Sequence, residues 1–125
     1  MNTYTHFNQK QNIHRGDVFY VNLGNGDGTS MQHGVRPAVI VSNEACNKHS
    51  SIITICAISS KVNSKAKIPT HVYLSKNKNK LSMDSICLCE QPISIPRTEL
   101  REYVTTISVG DMERISSALK IQLAL

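Results

Sequence analysis

The sequence predicts a mainly β domain: a small, strongly bent antiparallel barrel with short helices and an amphipathic helix at its C-terminus. Three observations lead there. Short apolar stretches rich in β-branched residues recur along the chain, separated by breaks containing Gly, Pro, Ser and Asn. No strand–helix–strand alternation of the kind that builds a parallel sheet runs through them. The apolar period changes to a helical one only in the C-terminal segment.

Asp17 to Leu23 alternates Val18 and Tyr20 against Phe19 and Val21, the pattern of a first strand. Gly24 to Gly34 then sets Gly24, Gly26, Gly28 and Gly34 among polar residues. This is expected to be a mobile loop acting as a lid or recognition arm. It lacks the Lys-Ser/Thr ending and the following helix of a phosphate-cradling loop. Arg36 to Ser42 is the second strand, and Glu44 to His49 a polar break of about one helical turn.

Ile52 to Ile58 is nearly continuous in apolar residues, as a central strand should be. Thr70 to Leu74, Ser85 to Cys89 and Val104 to Ile107 supply three more short strands. Between the last two, Pro92 and Pro96 are expected to break the chain and forbid a central strand. Met112, Ile115, Leu119 and Leu123 recur at helical steps, and Ser108 with Asp111 has the shape of a capping pair.

At 125 residues and 13.9 kDa the chain is long enough for one core. No apolar run approaches the ~20 residues of a membrane helix, so no membrane partner is expected. Met1 to Asn12 is polar and lacks the apolar centre of a signal peptide. Residues 1–13 are therefore expected to be a disordered extension, with the domain at 14–125, in a cytoplasmic protein. Cys46 and Cys56 are isolated, while Cys87 and Cys89 share one strand face as small hydrophobes. His6, His14, His33, His49 and His71 form no finger-like pair with them. Neither a metal nor a cofactor is expected.

The net charge is +5 and the pI about 9.2, a balance that invites a polyanionic partner. Lys61, Lys65 and Lys67 cluster in one loop, and Lys76, Lys78 and Lys80 in the next turn. Two solvated lysine loops that aid solubility are the plainer alternative.

The run Gly34-Val35-Arg36-Pro37-Ala38-Val39-Ile40-Val41-Ser42-Asn43 sets an arginine at the foot of a strand, just after the glycine-rich loop. Pro37 restricts the backbone beside it, and a guanidinium held there suits phosphate oxygens. Pairing with a loop carboxylate is an equally ordinary use of such an arginine. Ser59 ends the third strand. If the second and third strands are antiparallel, Arg36 and Ser59 come to one edge, where the loop also ends. No G-x-S-x-G elbow surrounds Ser59, which argues against a hydrolase nucleophile. His71 fits either a reach toward Ser59 or a plain strand start. Asp84 and Glu90 lie six apart in one strand and form no acid pair. Cations without paired carboxylates favour metal-free handling of phosphate.

Arg15-Gly16-Asp17-Val18, the Gly34–Asn43 run, Ala57-Ile58-Ser59, Lys65-Ala66-Lys67-Ile68-Pro69-Thr70-His71-Val72 and Cys89-Glu90-Gln91 together resemble the MazF/PemK toxins. The resemblance runs from about His14 to the C-terminus. It implies an SH3-like barrel, a homodimer, and a sequence-specific endoribonuclease that cuts single-stranded RNA without metal and stops translation. It also implies a cognate MazE-like antitoxin with a disordered acidic tail, and contact with DNA only indirectly through that antitoxin. Arg36 and Ser59 correspond to the family's catalytic arginine and strand-end hydroxyl. The implied chemistry is attack by the RNA's own 2′-OH. Thr29, Ser30, Gln32, His33 and Gly34 of the loop, with Lys61, Lys65, Lys67 and Gln91, would contact RNA.

One branch of the family shares Pro69-Thr70-His71-Val72 and cuts at sites containing U-A-C, which implies a similar preference. One departure stands out. Relatives carry a basic residue within Ile-Arg-Thr-Ile-Asp, whereas this chain has Pro92-Ile93-Ser94-Ile95-Pro96, with Arg97 as a nearby compensating cation. A non-catalytic nucleic-acid or partner adaptor on the same barrel and a gyrase-directed toxin are the alternatives.

Overall fold

The computed structural model describes residues 12–63 and 68–125. The apolar stretches become β1 (Asp17–Asn22), β2 (Val35–Ile40), β3 (Ile52–Ser59), β4 (His71–Leu74), β5 (Ser85–Pro96) and β6 (Leu100–Thr106). Helices α1 (Glu44–His49), α2 (Lys76–Asn79) and α3 (Val109–Leu123) complete the chain, with a 3-10 turn at Arg97–Glu99. Among the described residues the strands form one antiparallel sheet in the order β4-β5-β3-β2-β1-β6. It is the expected mainly β fold, but β4 and β6 are not paired to each other, so the sheet is not closed.

The continuous apolar run of β3 is explained by burial on both faces. Cys56 and Ile58 join the core under α3, with Val39, Cys87, Met112 and Ile115. Ile53 and Ile55 join a second core with Phe19, Ile40, Ile95 and Leu100. Ile13, assigned from sequence to the extension, is 5% exposed and packs into that second core. Cys56, Cys87 and Cys89 are buried free thiols, with Cys87 and Cys89 sulfurs 3.7 Å apart. Thiol–thiol hydrogen bonding and burial push the Cys87 thiol up, which keeps it a core group.

The expected break at Pro92 and Pro96 does not occur. β5 continues through both, with Cys56 opposite Pro92 and Ile52 opposite Pro96. β4 pairs with β5 only from Ser85 to Leu88, so further along an N–H missing from the outer edge costs no ladder bond. A register shift between Cys56 and Ile58 takes up the irregularity, as a bulge does.

The helix ends follow local chemistry. Ser108 Oγ accepts from Asp111 N at 3.3 Å, as the capping pattern predicts. Ser75 caps α2 by accepting from Lys78 N, a turn not foreseen in the lysine-rich segment. Among the described residues no helix is long and apolar enough to cross a membrane.

Candidate active site at the glycine-loop end of the sheet

The β2–β3 ladder pairs Ala38 with Ala57, Val39 with Cys56 and Ile40 with Ile55. Carried one alternation further, it sets Arg36 opposite Ser59 on the face away from α3. Arg36 and Ser59 therefore share one edge of the sheet. The loop is drawn shut at its base: Leu23 N donates to Gly34 O and Gly34 N to Gly24 O, both at 2.8 Å. Gly34 makes this turn at φ +75°, where a β-carbon would be strained.

Arg36 Nε donates to His33 O at 2.9 Å, so a loop carbonyl fixes the guanidinium plane. Its two terminal nitrogens make no hydrogen bond among the described residues. Ser59 is 5% exposed, and its Oγ accepts from Lys61 N at 3.2 Å. An accepting hydroxyl still has its own hydrogen to give. Thr29, Ser30, Met31, Gln32, His33, Arg36, Ser59 and Lys61 line one cavity of about 130 Å³. Apart from Met31, each was a candidate from sequence, and no carboxylate stands among them.

The remaining candidates fall elsewhere. Gly34 forms the neck of the loop rather than the cavity wall. Gln91 lines an adjacent cleft of about 400 Å³ with Leu23, Pro92 and Ile93. Its Oε1 accepts from Gln32 N at 2.9 Å and its Nε2 donates to Ser30 O at 3.4 Å, so it holds the loop over the site. Lys65 and Lys67 lie outside the described residues. Arg97 does not stand in for the missing basic residue. Its Nη1 donates to Ser50 O at 3.1 Å, at the far end of β3 from Ser59.

One side chain, Asp27, and one contact, His71 with Glu90, escaped the sequence reading. Asp27 accepts from Thr29 N at 2.9 Å and from its hydroxyl, and that side-chain bond holds its carboxyl below the ordinary range. It shapes the loop tip without charging the cavity. His71 does not approach Ser59, because β5 lies between β4 and β3. Its Nε2 lies 2.6 Å from Glu90 Oε2. Folding β4 and β5 as a hairpin around α2 would have placed the two on one face.

Open cationic nitrogens and a hydroxyl facing each other beneath a clamped loop define a small β domain with a phosphate-sized, positively charged cleft. Residues 14–123 match the family of PemK-like, MazF-like toxins of type II toxin-antitoxin systems, and the chain belongs to that family. It is 41% identical over 113 residues to a protein named endoribonuclease MazF from Staphylococcus saprophyticus, covering 90% of this chain and 92% of that one. MazF from Deinococcus radiodurans superposes with a TM-score of 0.75 at 20% identity, over 93% of this chain and 100% of that one. An endoribonuclease in complex with its cognate antitoxin, from a mycobacterial species, gives 0.72 at 24% identity, over 90% and 96%. These two likenesses establish the shared fold.

Proposed function

We propose that this chain is an endoribonuclease toxin that cuts single-stranded messenger RNA at chosen sequences and so inhibits translation. The observation that carries the reading is Arg36 set across from Ser59 in one cavity beneath the loop. The relative named an endoribonuclease, at 41% identity, supports the same reading.

The nucleophile belongs to the substrate. The 2′-oxygen of one nucleotide loses its proton and bonds to the adjacent phosphorus, while the bond from phosphorus to the 5′-oxygen breaks and that oxygen gains a proton. The ends are a 2′,3′-cyclic phosphate and a 5′-hydroxyl. Arg36 meets the charge that builds on the phosphoryl oxygens with its terminal N–H groups. Ser59 donates to a phosphoryl oxygen or orients the 2′-OH. The loop, clamped by Gln91, holds flanking bases, and Lys61 meets the backbone. DNA lacks the 2′-OH and is spared. These steps need no metal.

The toxin works in the cytoplasm as a homodimer, and an acidic, disordered segment of a MazE-like antitoxin silences it. The test is incubation of wild type and Arg36→Ala with a long single-stranded RNA in EDTA, followed by mapping of product ends. Discrete cuts with 5′-hydroxyl ends, absent from the variant, are expected. RNA that is bound yet intact would instead make the chain an adaptor.

A further inference from the structure

Three free thiols meet in the core beneath α3. Cys56 comes from β3, Cys87 and Cys89 come from β5, and all three are buried. The Cys87 and Cys89 sulfurs lie 3.7 Å apart, and Cys56 hydrogen-bonds with both. One buried cysteine is a small hydrophobe. Three sulfurs in mutual contact are also a source of two electrons, because a pair of them can close to a bond of about 2.05 Å.

The trio sits where the β3–β5 ladder is interrupted. The register shifts between Cys56, opposite Pro92, and Ile58, opposite Cys87. Ala57 alone therefore faces the stretch of β5 from Leu88 to Gln91. A cleft of about 400 Å³ reaches Ala57 and Glu90, the chain neighbours of Cys56 and Cys89. A solute scarcely larger than water needs only a small local opening there to meet the sulfurs.

The three sulfurs are not equivalent. Hydrogen bonds from Cys56 and Cys87 draw the Cys89 thiol below its ordinary value against the opposing effect of burial, whereas hydrogen bonding to Cys56 and Cys89 holds Cys87 up. Thiolate character makes Cys89 the sulfur that reacts first. Cys87 lies two residues from it in one strand, about 6.6 Å between Cα atoms and at the limit of what a disulfide spans. Cys56 stands on the adjacent strand, about 4.8 Å across and inside that span.

We infer that peroxide joins Cys89 to Cys56 in a reversible disulfide that loosens the loop clamp and slows the enzyme. The Cys89 sulfur attacks one peroxide oxygen, the O–O bond breaks, and the departing hydroxide leaves as water with the thiol's proton. The Cys56 sulfur then attacks the Cys89 sulfenic sulfur, the S–O bond breaks, and a second water leaves with the Cys56 proton. Two thiols are oxidised and one peroxide is reduced. Cys56 lies three residues before Ser59, and Cys89 two before Gln91. Tying them together forces a new register at the shift and draws Gln91 away from Gln32 N and Ser30 O. The bond itself is independent of the RNA-cleaving reading, whereas its effect on cutting rests on that reading.

The experiment treats the reduced chain with hydrogen peroxide, then follows its mass, its unreduced tryptic map and its cutting of single-stranded RNA. The mass should fall by two hydrogens, with the peptide holding Cys56 joined to the one holding Cys89. Cutting should slow roughly 10- to 100-fold, the cost of a small misplacement near the reacting groups, and dithiothreitol should restore it. Cys87→Ala should still form the bond, whereas Cys89→Ala should not and should keep cutting after peroxide. Thermal melts confirm that both variants fold, and the wild-type mass and map need no variant. Absence of an internal bond, a bond made only between molecules through Cys46, or one that persists in Cys89→Ala would overturn the inference. A Cys56–Cys89 bond that leaves cutting unchanged would overturn its regulatory half. A chain that cuts nothing before peroxide would refute the endoribonuclease reading, while the mass and map would still decide the bond.

Discussion

Two polar clusters lie at different places on this sheet, and they are completed to different degrees. The one beneath α3 is closed. Asn79 is 1% exposed and Asp111 2%, yet Asn79 Nδ2 donates to Asp111 Oδ2 at 2.9 Å and to Ser75 O at 3.1 Å. Asn79 Oδ1 accepts from Ser108 N at 2.9 Å, and its backbone carbonyl accepts from Thr105 Oγ1 at 2.8 Å. Arg114 Nη1 and Lys78 Nζ, at 2.9 and 3.7 Å, complete Asp111. The cluster on the opposite face is open: His71 Nδ1 and Glu90 Oε1 are buried without partners among the described residues, and the Arg36 guanidinium is tied down only through its Nε, to His33 O, among the described residues. A cluster whose bonds are all made internally holds the fold, whereas one with bonds left over is shaped for something that arrives.

The sharpest way to break this comparison is to cut into the open cluster and look for a stability loss. Arg36→Ala should lower kcat/KM for RNA by roughly a thousandfold, the scale of a lost charge-stabilising donor in a dry site. Its unfolding free energy should move by no more than about 0.5 kcal/mol. A large loss in chemical denaturation would place Arg36 with the framework residues instead.

Asn79→Ala is the converse. It leaves Ser108 N and one Asp111 oxygen without their partner and should cost about 2–4 kcal/mol of stability. Cleavage per folded molecule should be unchanged. The same cluster has a pH signature. Burial pushes the Asp111 carboxyl up, but hydrogen bonds from Asn79 and Arg114 and the charge of Lys78 outweigh it, leaving it below its ordinary 3.8. A carboxyl lowered on folding gives stability that is present above its unfolded value and lost as pH falls through its folded one. Wild type should therefore weaken below about pH 4, and Asp111→Asn should flatten that acid limb in a melting series.

Ser59→Ala tests the smaller half of the open cluster. The loss of one hydroxyl donor should lower kcat roughly 10- to 100-fold while KM stays near its wild-type value. A change in KM alone would make Ser59 a binding group.

How much of this was legible in the sequence depended on distance along the chain. β1, β2, β3 and α3 could be read because alternation and capping are local signals, and one antiparallel pairing then sufficed to bring Arg36 to Ser59. β5 was misjudged at Pro92 and Pro96, because whether a proline is tolerated depends on whether its edge is paired, a property of the neighbouring strand. The His71–Glu90 contact was hidden for the same reason, since it needs the β4–β5 register. Arg15-Gly16-Asp17-Val18 carried family resemblance, yet its contacts are framework. Arg15 Nη2 donates to Ser116 Oγ at 2.8 Å and Asp17 Oδ2 accepts from His14 N at 2.9 Å. A shared motif can mark the fold as readily as the chemistry.

The smallest expected effect separates the cavity's cations. In the proposed mechanism Arg36 meets the reacting phosphate, and its removal should then cost rate at every salt concentration. Lys61 lines the same cavity but stands at its exposed rim, where a lysine meets the backbone as a point charge. Each phosphate contact on a single strand contributes about 0.7 to the slope of log affinity against log salt. Lys61→Ala should therefore flatten that slope by about 0.7, read from binding of an RNA made uncleavable by a 2′-deoxy substitution at the cut. Its kcat and cutting sequence should stay as in wild type. An unchanged slope with a fallen kcat would move Lys61 from the rim to the reaction, leaving the cavity with two catalytic cations rather than one.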